Sequence, residues 1–198
     1  MVLALIAALL LPAGEGPFTW TGRAPVIARK SAPPRDAPVA AVLSVQAALD
    51  GGDLVLRFAF DRPVQRALYG ADGKPVSGRL RAILYVDADD DRKTGLAAAA
   101  DDPRSGADRR LEVGVIAVGA DPDENVGASA VVTASLSDLQ GKRRRSRWRG
   151  DTGATPRQVS TGASWVEVRL LAERGPFRRT ARLVLAEDDV FLEGRLKP

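Results

Sequence analysis

Leu43-Ser44-Val45-Gln46-Ala47-Ala48-Leu49-Asp50-Gly51-Gly52-Asp53-Leu54-Val55-Leu56-Arg57-Phe58-Ala59-Phe60 is the stretch that sets the fold class. Leu43, Val45, Ala47 and Leu49 alternate with other residues, and so do Leu54, Leu56, Phe58 and Phe60. That alternation puts each set on one face of a strand. Asp50-Gly51-Gly52-Asp53 between them is turn chemistry, because glycine reaches left-handed dihedrals without a Cβ clash. The stretch therefore predicts a β-hairpin. The same signal recurs along the chain. Leu80 to Val86 is apolar on both faces and predicts a central strand. Leu111, Val113, Val115 and Ala117 alternate, as do Ala130, Val132, Ala134 and Leu136. Val166, Val168 and Leu170 follow, then Ala181, Leu183 and Leu185, then Val190-Phe191-Leu192. Gly and Asp clusters separate these runs, and no long amphipathic helix interrupts them. The expectation is an all-β chain, an antiparallel β-sandwich or jelly roll, forming one domain over residues 39–198.

Composition excludes much chemistry. The chain has 198 residues, 45% hydrophobic and 27% charged, as a globular domain should. It contains no cysteine and no histidine, and its one methionine is Met1. Disulfides, thiolate or imidazole zinc sites and Ser-His-Asp or Cys-His catalysis are thereby ruled out. So is haem held by His or by an internal Met. Asp121-Pro122-Asp123-Glu124 and Glu187-Asp188-Asp189 are acidic turns, but nothing sets a carboxylate pair at a catalytic spacing. No catalytic residue is assigned, and a carboxylate-only hydrolase is the weakest rival reading.

Met1-Val2-Leu3-Ala4-Leu5-Ile6-Ala7-Ala8-Leu9-Leu10-Leu11 is an apolar run too short to span a bilayer as a helix. Gly14 and Gly16 supply small residues suited to cleavage after Gly16, although no Lys or Arg precedes the run. Residues 1–16 read as a signal peptide, which predicts a secreted or periplasmic protein with no transmembrane segment in the mature chain; the alternative is a short buried strand or helix of the mature fold. Residues 17–38 read as a Pro-rich linker that lends one short strand at Pro25-Val26-Ile27-Ala28.

Tyr85-Val86-Asp87-Ala88-Asp89-Asp90-Asp91-Arg92-Lys93-Thr94-Gly95 carries an apolar strand straight into four carboxylates. Those charges oppose a compact turn unless a cation gathers them. Ca²⁺ suits the task, since it takes carboxylate and carbonyl oxygens in flexible geometry. Asp87, Asp89 and Asp91 are candidate ligands. Asp108 joins them if the strand that follows it returns beside the strand that ends at Asp87. An EF-hand is excluded, because Arg92 and Ala98 stand where that loop needs Gly and Glu. The alternative is a solvated acidic turn neutralised by Arg92 and Lys93.

Strand, D-x-D-x-D-x-x-T-G, variable loop and G-A-D before an L-E-V strand resemble the β-sandwich of family 9 carbohydrate-binding modules and the related DOMON-like domains. The residues are Asp87, Asp89, Asp91, Thr94, Gly95, Gly106, Ala107, Asp108, Leu111, Glu112 and Val113. Asp53 to Asp61 resembles the family's early hairpin strand, and Trp165 to Leu171 its late strand, without the Pro that commonly follows. The resemblance spans about Val39 to Asp189. It implies a structural Ca²⁺ and a non-catalytic binding or accessory role with carbohydrate as the inherited ligand. Superfamily members that carry electrons hold haem through Met, His or Lys, and without His or an internal Met no haem is expected here.

Lys142-Arg143-Arg144-Arg145-Ser146-Arg147-Trp148-Arg149 is the strongest basic run. It reads as a solvated hairpin tip or as a seat for an anionic polymer, with Arg143, Arg144, Arg145 and Trp148 as the contacts. A structural or adhesive surface protein built on that run is the rival functional reading. Specific nucleic-acid binding is not expected of an exported protein. Trp165 shares a strand face with Glu167 and Arg169, and is either a ligand-stacking aromatic or a packed sheet residue.

Overall fold

The computed structural model describes residues 18–31, 37–50, 53–76, 78–118, 129–139, 158–171, 181–187 and 190–197. The expected signal peptide and the basic run at 142–149 lie outside the described residues. Among the described residues, ten strands and one short helix follow in the order β1 (Ile27–Ala28), β2 (Val42–Asp50), β3 (Asp53–Phe60), α1 (Val64–Leu68), β4 (Ala82–Asp87), β5 (Arg109–Val118), β6 (Ser129–Asp138), β7 (Gln158–Thr161), β8 (Trp165–Leu171), β9 (Ala181–Glu187) and β10 (Val190–Leu196).

They form two five-stranded antiparallel sheets. Sheet 1 runs β1-β2-β3-β8-β7 and sheet 2 runs β10-β9-β4-β5-β6. Neighbours in sequence make the hairpins β2–β3, β4–β5 and β5–β6, and β3 pairs with β8 and β4 with β9 across long stretches of chain. Leu54, Leu56, Phe58, Val166 and Val168 from sheet 1 share one core with Leu84, Val86, Leu111, Val113, Leu183 and Leu185 from sheet 2. Burying these two apolar faces against each other is the main favourable term in the fold. The strand expected to be central, β4, is third of five in its sheet. No helix among the described residues is long and apolar enough to cross a membrane.

One detail departs from strict alternation. Val42 pairs with Phe60 but Ser44 pairs with Ala59, so Leu43 is an extra residue in a β-bulge. The bulge turns Val42 into the core and leaves Leu43 38% exposed, whereas the pattern put Leu43 on the face of Val45 and Ala47. Leu43 still serves the sheet through its carbonyl, which accepts from Arg29 N at 2.8 Å.

The segment before β2 is tied to the sheet. Ile27 and Ala28 pair with Val45 and Ser44. Trp20 packs on Ala48 and Val55, on the face of sheet 1 away from the core, with Phe18 edge-on to its ring at 4.9 Å.

Candidate metal centre

Asp87 is the last residue of β4 and Asp108 immediately precedes β5. The β4–β5 pairing brings both to one end of sheet 2, where Asp108 N donates to Val86 O at 2.8 Å. Residues 88–107 form the connecting loop, and Gly95 and Gly106 let its two arms touch. Leu96 N donates to Ala107 O at 2.7 Å and Gly106 N to Leu96 O at 3.0 Å. Both glycines have positive φ, 59° and 90°. A Cβ on Gly95 would lie 2.3 Å from Ala107 O, and one on Gly106 would lie 2.6 Å from Arg92 Cα. The T-G and G-A-D portions of the sequence signature are therefore requirements of backbone approach.

Three of the four expected ligands meet. Asp87, Asp89 and Asp108 each offer a carboxylate oxygen, and these oxygens lie within 4.8 Å of one another. Asp87 and Asp108 are buried and Asp89 is half-buried. Asp108 Oδ2 accepts from Ala88 N at 2.8 Å. Asp89 Oδ1 accepts from Thr94 Oγ1 at 3.0 Å and from Asp91 N at 3.2 Å. Asp91 is not one of the three. Its Oδ1 accepts from Lys93 N at 3.0 Å and its carbonyl accepts from Thr94, so it shapes the turn. Asp90 adopts φ 50° and faces outward to Arg195, with Nε to Oδ2 at 3.1 Å. Asp tolerates that left-handed conformation better than most residues.

The cation that answers Asp87 comes from a distant strand. Arg182 stands opposite Asp87 across the β4–β9 ladder and is 1% exposed. Its Nε and Nη2 donate to Asp87 Oδ2 at 3.2 and 2.9 Å. Nη1 donates to Pro103 O at 2.8 Å and Nη2 also reaches Ser105 O. Neighbours of Asp87 and Arg182 in their strands, Val86 and Leu183, point into the core, so this pair lies on the outer face of sheet 2. The loop buries it there. Arg104 holds the loop down, paired to Asp102 at 2.7 Å and stacked over the Tyr85 and Phe191 rings. Arg92 and Lys93 are exposed, and Arg92 donates to Ala100 O, so the described pairing centres on Arg182 instead.

Burial pushes the Asp87 carboxyl up to about 7. The hydrogen bonds and charge of Arg182 pull it down, and the Asp108 and Asp89 carboxylates push it up again. Oδ1 of Asp87 faces the loop, where it accepts from Asp91 N at 3.3 Å. The cluster thus offers hard oxygen donors from three residues at the junction of two strands and a loop. That donor set suits Ca²⁺ or Mg²⁺ and offers nothing to a soft metal.

Trp165 sits elsewhere, on the outer face of sheet 1. The Arg57 guanidinium lies 4.2 Å from its ring centroid and 5.1 Å from that of Trp20. Arg57 Nη2 donates to Glu167 Oε2 at 3.0 Å, and Trp20 Nε1 donates to the same oxygen at 2.6 Å. Gly162 has no side chain because the Trp165 indole occupies that space, 2.1 Å from where a Cβ would be. Arg143, Arg144, Arg145 and Trp148 lie outside the described residues.

Sequence reading missed Arg182. Its signal was an arginine inside Ala181-Arg182-Leu183-Val184-Leu185, a run buried on both faces. A charge in such a strand requires a buried partner. No family model, curated protein or solved structure matches this chain.

Proposed function

We propose that this chain is a non-catalytic binding or accessory domain, exported from the cytoplasm and held in shape by Ca²⁺ at Asp87, Asp89 and Asp108. The observation that carries the cation is the convergence of three carboxylate oxygens within 4.8 Å. Like charges at that separation repel, and a divalent cation turns the repulsion into attraction. Calcium is favoured over magnesium because the donors come from an irregular, carboxylate-rich loop instead of a rigid octahedral cage. The ion would tie the end of β4 and the start of β5 to the loop between them. Arg182 would keep Asp87 oriented through Oδ2.

A second reading has its own observation. The double hydrogen bond from Arg182 to Asp87 also neutralises one carboxylate without any metal. Calorimetric titration with CaCl₂ after chelation separates the two. The proposal expects one site per chain, lost in Asp108→Asn and kept in Asp91→Asn. Absence of binding heat at millimolar calcium assigns the cluster to Arg182 alone.

The binding role and its carbohydrate ligand rest on the resemblance to family 9 carbohydrate-binding modules and DOMON-like domains. The absence of His and Cys supports a non-catalytic role. A glycan array with the wild type and Trp165→Ala tests the ligand, and mass spectrometry of the exported protein's N-terminus tests cleavage after Gly16.

A further inference from the structure

A cleft of about 510 Å³ opens beside residues 37–41, at the opposite end of β4 from the aspartates. Its walls are Val39, Ala41, Ile83, Ala186 and Val190, with Arg29 and Arg81 among the charged groups at its surface. The volume lies in the range that holds a single small organic molecule. Val39 and Val190 are 39% and 53% exposed, so the apolar surface continues to the cleft mouth. No aromatic side chain lines it among the described residues. That favours an aliphatic body over a sugar ring, which binds best against a flat π-face.

The charge around this cleft has one sign in excess. A smaller cleft shares Ala37 and Pro38 with it and is lined by Arg62, Arg66 and Arg79. Arg29 pairs with Glu187, Arg62 with Asp61 and Arg81 with Glu112. Glu187 is fixed further by Val42 N, which donates to Oε1 at 2.7 Å. Arg66 and Arg79 are exposed, and no carboxylate among the described residues pairs with them. The Arg81–Glu112 pair is a surface contact with the arginine side chain 53% exposed, so an incoming anion can replace it at little cost.

From this arrangement we propose that the cleft binds an amphipathic organic anion. The aliphatic chain lies along Val39, Ile83, Ala186 and Val190, and the anionic head meets Arg81 at the cleft surface, with Arg79 and Arg66 lining the adjoining smaller cleft. Guanidinium groups suit a carboxylate head because their paired N–H donors match its two oxygens. The site is independent of the aspartate cluster and of any carbohydrate role.

Dodecanoate is the probe, titrated without calcium so that no insoluble soap forms, with dodecanol as the neutral control. Dodecanoate should bind at one site per chain, and dodecanol at least about tenfold more weakly, the value of one charge-assisted hydrogen bond. Ala186→Phe fills the cleft from the outer face and should abolish binding while the protein still melts cooperatively. Arg79→Ser with Arg81→Ser should weaken dodecanoate by about tenfold or more and leave dodecanol unchanged. Three results would overturn the proposal: no dodecanoate binding by folded protein, equal binding of dodecanol, or full binding by Ala186→Phe.

Discussion

Both sheets bury ionisable groups on their outer faces, and the two clusters are built differently. On sheet 1, Glu167 receives hydrogen bonds from Arg57 and from the Trp20 indole, and Arg57 is flanked by the Trp20 and Trp165 rings. Aromatic surface closes that cluster, and its carboxylate meets donors of opposite or neutral character. On sheet 2, Asp87 receives Arg182 but faces two further carboxylates, and burial with that repulsion carries its carboxyl up to about 7. A cluster closed by aromatic rings stabilises the sheet it sits on. A cluster that gathers like charges at a loop is stabilised further by whatever brings positive charge to it.

Deleting the arginine from each cluster measures that difference. Arg182→Met strips the guanidinium from a fully buried pair and should cost about 3–5 kcal/mol in urea unfolding with chelator present. Arg57→Met should cost distinctly less, because its pair with Glu167 is partly solvated. Equal losses would erase the distinction drawn between the sheets.

pH sharpens it next. Asp87 holds a proton in the folded protein over a range where the unfolded chain has released it. Stability from this group is therefore full below the ordinary carboxylate range and is lost as pH rises to about 7. Without metal, the melting temperature should fall across that window, and Asp87→Asn should flatten the fall. On the proposed calcium reading, protons would compete for the same oxygens, so the calcium response should grow over the same pH range.

Trp20→Ala removes the lid of the sheet 1 cluster. The expected loss is about 2–3 kcal/mol, below a deep-core Trp because the site lies at the surface of the sheet. Its calcium response should match the wild type. Gly106→Ala acts on sheet 2 instead. The positive φ and the approach to Arg92 Cα predict a loss of about 1–3 kcal/mol, with weaker calcium binding.

The sequence carried the strands well and their partners poorly. Leu54, Leu56, Phe58 and Phe60 alternate because one face of β3 meets the core, and that period is local. Leu43 broke the pattern because a bulge adds a residue that no composition signal marks. Pairing of β3 with β8, and of β4 with β9, joins segments roughly a hundred residues apart and leaves no periodic trace. Arg182 was overlooked for that reason: it is adjacent to Asp87 only once β9 docks on β4. The carboxylates of Asp87, Asp89 and Asp108 come together because Asp87 and Asp108 flank one hairpin connection, which the acidic signature marks in the sequence. Asp91 matched the spacing, but its carboxylate is committed to the Lys93 amide. Trp20 looked like linker because its partners, Ala48 and Val55, lie on a sheet face that alternation marks only as facing away from the core.

Thermal melting in millimolar CaCl₂ and in chelator, for the wild type and for Asp89→Asn, tests the cation most directly. At about 100 times the dissociation constant, binding to the folded state adds roughly 2.7 kcal/mol. For a domain of this size that raises the melting temperature by roughly 5–10 °C. Asp89→Asn should lose most of the rise. Identical wild-type curves in calcium and chelator would contradict the account and leave Arg182 as the whole answer to the charge on Asp87.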